Sequence, residues 1–150
     1  MITGILDAVT RRLSEIFDDK YAIYTDEVKQ GLEEPCFFVM FLEPSEKPMI
    51  GQRYFLQNGM VIQFIPDESE QVSKDVYEVA EVLMDGMEYI TLSDGDLLRG
   101  TGRRWQVVDG VLHFFVSYNL FVRRKEGQQE PMEEIEVNRS NDGYGREKNG

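Results

Sequence analysis

The sequence predicts an α+β fold, with two helices packed on a mixed, mainly antiparallel sheet. Three observations point to it. Apolar residues recur every three or four positions in two stretches, Ile2 to Phe17 and Asp67 to Gly86. Short apolar segments with strand-like patterning lie between and after them. Two dipeptides, Asn58-Gly59 and Asp109-Gly110, belong to the class that favours tight turns between antiparallel strands.

In the first stretch Ile2, Ile5, Leu6, Val9, Leu13, Ile16 and Phe17 share one helical face, with Arg11, Arg12, Ser14 and Glu15 opposite, so a helix is expected to end near Asp18 and Asp19. YAIYTDEV alternates enough for a short strand. CFFVMFL, after Pro35, is apolar on both faces as a central strand would be, and Cys36 at its head reads as a core thiol. EPSEKPMIGQR has two prolines and a glycine and reads as a loop. QRYFLQ and MVIQFI are then expected to be two strands joined at Asn58-Gly59 by a two-residue type I′ turn.

Pro66 stops the second of these, and Asp67 with Glu70 makes a capping-box variant at the start of the second helix. Its apolar stripe is Val72, Val76, Val79, Ala80, Leu83 and Met87, and its polar stripe Lys74, Glu78, Glu81 and Asp85, with Gly86 marking the end. MEYITL is a short strand and Ser93 to Asp96 a turn. LLRGTGRRWQVV and VLHFFVSYNLFVRR form a closing hairpin about Asp109-Gly110. Residues 1–124 are thus expected to form one domain and 125–150 a flexible or partner-ordered tail, in which MEEIEV could add a strand once docked.

The closing hairpin has a predictable register. A two-residue turn pairs Val108 with Val111, Val107 with Leu112, Gln106 with His113, Trp105 with Phe114 and Arg104 with Phe115. Leu112, Phe114, Val116, Tyr118, Leu120 and Val122 then share a face with Val107 and Trp105, and that face is expected to be core. At roughly 1.5–3 kcal/mol for each large side chain fully buried, it would be a leading source of stability. The other face holds Val111, His113, Phe115, Ser117, Asn119, Phe121 and Arg123, and is half polar. Phe115 and Phe121 there would lie under a helix of the same chain or meet a neighbouring subunit. Simple pairing would aim Arg103 at Val116 on the core side, a costly place for a charge, so a bulge at the glycines of RGTGRR is expected, with Arg99, Arg103 and Arg104 on a protruding, bent hairpin end.

Composition narrows the function classes. The chain has 150 residues and a formal net charge of −12, with the acidic excess in its first half. Such a surface repels a phosphate backbone, which argues against a nucleic-acid reader. No apolar run is long enough to span a bilayer, and the N-terminal segment does not read as a signal peptide. One cysteine excludes an internal disulfide and a thiolate zinc site. The single histidine, His113, opposite Gln106, has no neighbouring nucleophile and no second ligand at metal spacing, so it reads as a polar strand position. No cofactor, metal ligand set or catalytic residue is expected, and paired acids such as Asp94 and Asp96 or Glu133 and Glu134 have nothing converging with them.

The succession of an amphipathic helix, PCFFVMFL, RYFLQNGMVIQFIP, an acidic helix and an ending with DGVLHF and YN resembles the phage tail terminator, or tail completion, proteins of Gram-positive prophages and phage-tail-like particles. The likeness runs over roughly residues 1–124. It implies a small α+β subunit that closes with copies of itself into a ring, commonly of six, on the head-proximal end of a tail tube. The implied partners are the tube protein, with sheath and neck or collar proteins beside it; DNA would be met only in passage and no membrane is involved. The implied location is the tail end of a virion or tail-like particle, assembled in the bacterial cytoplasm. Ring closure needs two unlike patches. The candidates are Arg99, Arg103, Arg104, His113, Phe115 and Phe121 on the last hairpin and Glu78, Glu81 and Asp85 on the acidic helix. The alternatives are a head-tail neck completion protein and, from a different class, an acidic inhibitor that mimics nucleic acid.

Overall fold

The computed structural model describes residues 2–25, 31–67, 72–124 and 136–137. Among these residues are two helices, α1 (Ile2–Ile16) and α2 (Val72–Gly86), and eight strands: β1 (Ala22–Tyr24), β2 (Cys36–Pro48), β3 (Arg53–Ile65), β4 (Tyr89–Thr91), β5 (Leu97–Val108), β6 (Val111–Tyr118), β7 (Leu120–Arg123) and β8 (Glu136–Val137). The sheet runs β1-β2-β3-β6-β5-β4, with β7 pairing β3 beyond the end of β6 and β8 pairing β7. Among the described strands only β1 and β2 run parallel. The α+β reading, with a mixed and mainly antiparallel sheet, holds.

Both helices lie on one face of the sheet, and the alternation of the strands decides which residues they cover. Ile5, Ala8, Val9 and Leu13 of α1 and Val76, Val79, Ala80 and Leu83 of α2 are buried against Phe37, Val39, Met60, Ile62, Phe64, Leu112, Phe114 and Val116. The helix faces are those the spacing predicts, and Lys74, Glu78, Glu81 and Asp85 are exposed. Asp18 and Asp19 at the end of α1 have positive φ, a conformation that the short polar Asp tolerates better than most residues. Arg12 Nε donates to the carbonyl of Gly86 at 2.8 Å, satisfying an orphan acceptor at the C-terminus of α2. The predicted capping box lies partly outside the described residues, because Glu70 is among 68–71.

The closing hairpin keeps the predicted register from Val108↔Val111 to Arg104↔Phe115, then slips between Thr101 and Arg104. Gly102, at φ +63, occupies the bulge. The six core residues predicted on VLHFFVSYNLFVRR are all buried. Trp105 and Val107 are not: they are 38% and 39% exposed, which corrects their placement in the core. β4 pairs with Leu97 to Arg99, so among the described residues β5 is an edge beyond the bulge, and Trp105 meets the partly covering ring of Tyr77 on α2 at 5.6 Å.

The centre of the chain departs most from the sequence reading. EPSEKPMIGQR is not a loop and Asn58-Gly59 is not a turn. β2 continues through Pro48 and β3 runs unbroken from Arg53 to Ile65, so the two form one long hairpin whose turn is at Met49 to Gln52. A register shift between Leu42 and Ser45, with Glu43 at φ 43, carries β2 past Pro44. Asn58 is 2% exposed; its Nδ2 donates to the Tyr118 carbonyl at 3.0 Å, and its backbone N–H donates to Asn119 Oδ1 at 2.8 Å. These two bonds span the break at Asn119, where β3 changes partner from β6 to β7. VLHFFVSYNLFVRR is therefore two strands, with a side chain standing in for the missing ladder bond.

Tyr118 ties the sheet to the end of α2. Fully buried, it donates its hydroxyl to the Met87 carbonyl at 2.6 Å. Burial raises its pKa far above the ordinary tyrosine value, only partly opposed by Arg103 and Arg12. Tyr118→Phe is expected to cost about 1–3 kcal/mol, since it leaves the Met87 carbonyl without its donor. A raised native pKa stabilises the fold fully below the unfolded value, and that contribution is lost as pH climbs past about 10 towards the native value. Urea unfolding at rising alkaline pH is therefore expected to show the advantage of wild type over the Phe variant shrinking with pH. An unchanged difference would place the hydroxyl elsewhere.

Candidate functional site

The face of the sheet away from the helices carries the surface of interest. Across β2, β3, β6 and β5, Met40, Val61, Phe115 and Arg104 stand in one row and Phe38, Gln63, His113 and Gln106 in the next. Neither helix packs on these rows. Phe115 and Phe121 thus lie on the side opposite α1 and α2, not beneath either of these helices. The Arg104 guanidinium sits 4.4 Å from the Phe115 ring centre. The Phe55 and Phe121 rings lie tilted to each other with centres 4.8 Å apart, with the guanidinium of Arg53 at 4.9 Å from the latter ring. Phe121 is 42% exposed. Val61 in this face is buried and Met40 and Phe115 are half-buried, with Arg104 and Phe121 exposed; aromatic rings under arginines on a sheet face that neither helix covers are a composition enriched where proteins meet.

The other candidate residues are spread over three places. Arg104, His113, Phe115 and Phe121 share the open face. Arg99 and Arg103 turn instead towards Glu88, at 3.3 and 3.8 Å. Arg99 is nonetheless 66% exposed in its side chain, and beyond the bulge Arg104 to Val108 are exposed as well. Arg103 is only 23% exposed in its side chain, so its charge already has a use inside the subunit. Glu78, Glu81 and Asp85 are exposed on α2, on the opposite side of the molecule from the open sheet face.

His113 has Gln63 Nε2 at 3.4 Å from Nδ1 and Gln106 as its cross-strand partner. Among the described residues no carboxylate is recorded in a hydrogen bond or ion pair with this ring. Burial, with Glu34 adding to it, pushes the Cys36 thiol above its ordinary pKa, which keeps it in the unreactive thiol form. Among the described residues no group of three or more His, Cys, Asp or Glu side chains is placed to hold a metal ion. No described helix is long and apolar enough to cross a membrane.

Two features escaped the sequence reading. The turn of the β2–β3 hairpin presents Met49, 43% exposed, and Ile50, 93% exposed. At the other end of β3 a cleft of about 280 Å³ opens between α1, α2 and the sheet, lined by apolar Phe17, Tyr21, Pro66 and Val82 with Asp75 and Glu78 beside them. The first had a signal, two apolar residues between Pro48 and Gly51 where a solvated loop would be polar. The cleft had none, because its walls come from distant segments.

A family model described as phage tail terminator protein matches residues 4–130 of the chain. Comparison with curated proteins finds no match.

Proposed function

Since the chain belongs to the phage tail terminator family, we propose that it is a structural subunit whose copies, six to a ring, cap the head-proximal end of a tail tube, stop its polymerisation and offer a seat to the neck or collar. The particle is a prophage-encoded tail or a headless tail-like relative, and the work is done by fit and charge with no bond made or broken. The observation that supports this best, beyond the family itself, is the open sheet face. It is built from Phe115, Phe121, Met40 and Arg104 on the side of the molecule opposite the acidic stripe of α2. A closed ring needs such a pair of unlike surfaces, each meeting the other on the next copy. Each copy also brings a formal charge of −12, which would keep DNA from adhering wherever it lines the bore.

The test is a double substitution on the open face. Arg104→Glu with Phe115→Asp is expected to leave a folded monomer, because neither side chain belongs to the buried core. Electron microscopy of particles made with it is expected to show tails of uncontrolled length. Tails of normal length would remove this face from the assembly. Arg103 is unsuitable as a probe, since Arg103→Glu would set two carboxylates together at Glu88 and weaken the fold itself.

A further inference from the structure

The arm formed by the β2–β3 hairpin beyond the Leu42/Ser45 shift is a rigid element. β7 pairs with it from Arg53 to Leu56, Met49 N–H donates to the Arg53 carbonyl at 2.9 Å, and Arg124 joins Glu46 at 2.6 Å. The apolar tip is thus held out on a fixed base, and little ordering entropy remains to be lost on docking. Lys47 and Arg53 are exposed on this arm and have no carboxylate ion-pair partner among the described residues, while Glu46 is taken up by Arg124 and Arg123 stands across from Glu136 of β8. In so acidic a chain, that makes the arm a local positive end.

The cleft has the opposite character. Its apolar walls would receive a pair of aliphatic side chains, and at about 280 Å³ it falls just below the roughly 300–1,000 Å³ usual for small-molecule sites. Asp67, Asp75 and Glu78 line it against one cation, Lys20, whose ammonium lies 5.3 Å from the Tyr21 ring centre, so its charge is negative on balance. Tip and cleft lie at opposite ends of the thirteen-residue strand β3, on the order of 40 Å apart at about 3.3 Å per residue. No copy can therefore fill its own cleft.

We propose that Met49 and Ile50 of one copy seat in the Phe17–Tyr21–Val82 cleft of the next, with Lys47 and Arg53 facing Asp75 and Glu78. The occupant is a second copy of this chain because the two ends match in charge and because head-to-tail docking is the kind of contact that propagates to a closed ring. The proposal rests on the ring reading above and names its anchor.

Ile50→Cys and Val82→Cys place thiols at two exposed positions, while the native Cys36 is buried and does not compete. The two variants are mixed with terminator-free tail tubes of the cognate particle, oxidised, and analysed by non-reducing electrophoresis and electron microscopy. The expected product is a disulfide between the two different variants, well above any Ile50→Cys homodimer. With both substitutions in one chain, a ladder that stops at the closed ring is expected. Lys47→Glu with Arg53→Glu should lower the yield several-fold, and Asp75→Lys with Glu78→Lys on the partner should restore it. Rings on tube ends without the mixed disulfide, or with only symmetric Ile50→Cys dimers, would overturn this contact and leave the ring reading standing. Absence of any ring with the wild-type chain would overturn both.

Discussion

Gly100→Ala is expected to lower stability by about 3 kcal/mol or more, a severe effect for one methyl group. β5 crosses the chain just after α2 at this residue. Its N–H donates to the Glu88 carbonyl at 2.6 Å, and a Cβ built on it would stand 2.8 Å from the Met87 carbonyl oxygen and 2.7 Å from a methyl of Val116. A side chain can turn aside, but the Met87 oxygen is backbone and already accepts the Tyr118 hydroxyl. Making room would therefore strain two buried hydrogen bonds as well as overpack the core. Gly102, two residues on, is the internal control. Nothing lies within 4 Å of its would-be Cβ, but its φ is +63, so Gly102→Ala is expected to cost only the backbone penalty of about 1–2 kcal/mol. Chemical denaturation of both variants checks this. Equal, modest losses would mean that the close approach at Gly100 does not exist.

That pair shows how far the sequence could be read. Glycines at alternate positions of RGTGRR predict a bulge or a close backbone approach, and the structure has one of each. Which glycine does which depends on where α2 ends in space, and no local pattern carries that. The helices and the closing hairpin were legible because apolar period and turn chemistry agree there, and residue-by-residue register followed from Asp109-Gly110. Trp105 and Val107 were misplaced because alternation tells which face a residue takes and not whether anything covers that face. β2 beyond Leu42 was missed because Glu43 to Pro48 is an exposed hairpin arm, with no apolar stripe to reveal it and two prolines that normally argue against a strand. Pro44 is tolerated at the register shift and Pro48 at the strand end.

For the candidate surface the limits were similar. The open face around Phe115 and Phe121 could be drawn from alternation alone, as could the acidic stripe of α2. The turning of Arg99 and Arg103 to Glu88 could not, because the partner comes from the short segment after α2 and the bulge that aims them depends on tertiary contacts. The exposed tip at Ile50 lies in a segment whose two prolines and glycine carry the pattern of a loop.

The misread Asn58-Gly59 gives the sharpest test, since a turn and a buried strand respond oppositely to the same substitutions. Asp-Gly is as good a type I′ pair as Asn-Gly, so Asn58→Asp would be nearly silent in a turn. In the strand it replaces the Nδ2 donor to the Tyr118 carbonyl with a carboxylate in a site 2% exposed, facing an acceptor with an acceptor. A loss of about 3–5 kcal/mol at neutral pH is expected. Burial raises the folded pKa of the introduced carboxyl above the unfolded value of about 3.9, so the protonated form, able to donate to Tyr118, is favoured. The deficit should therefore be smallest in acid and grow as pH rises through the folded pKa. Gly59→Ala reverses the logic. A type I′ turn needs positive φ there, but Gly59 is not in that region, and its added Cβ would make only ordinary contacts of 3.6 Å with the Leu42 carbonyl and Ser117 Oγ. Alanine should thus be neutral or stabilise by up to about 1 kcal/mol through the unfolded chain. A harmless Asn58→Asp together with a damaging Gly59→Ala would restore the turn and dismantle the long β2–β3 hairpin on which the arm, its tip and the proposed contact between copies depend.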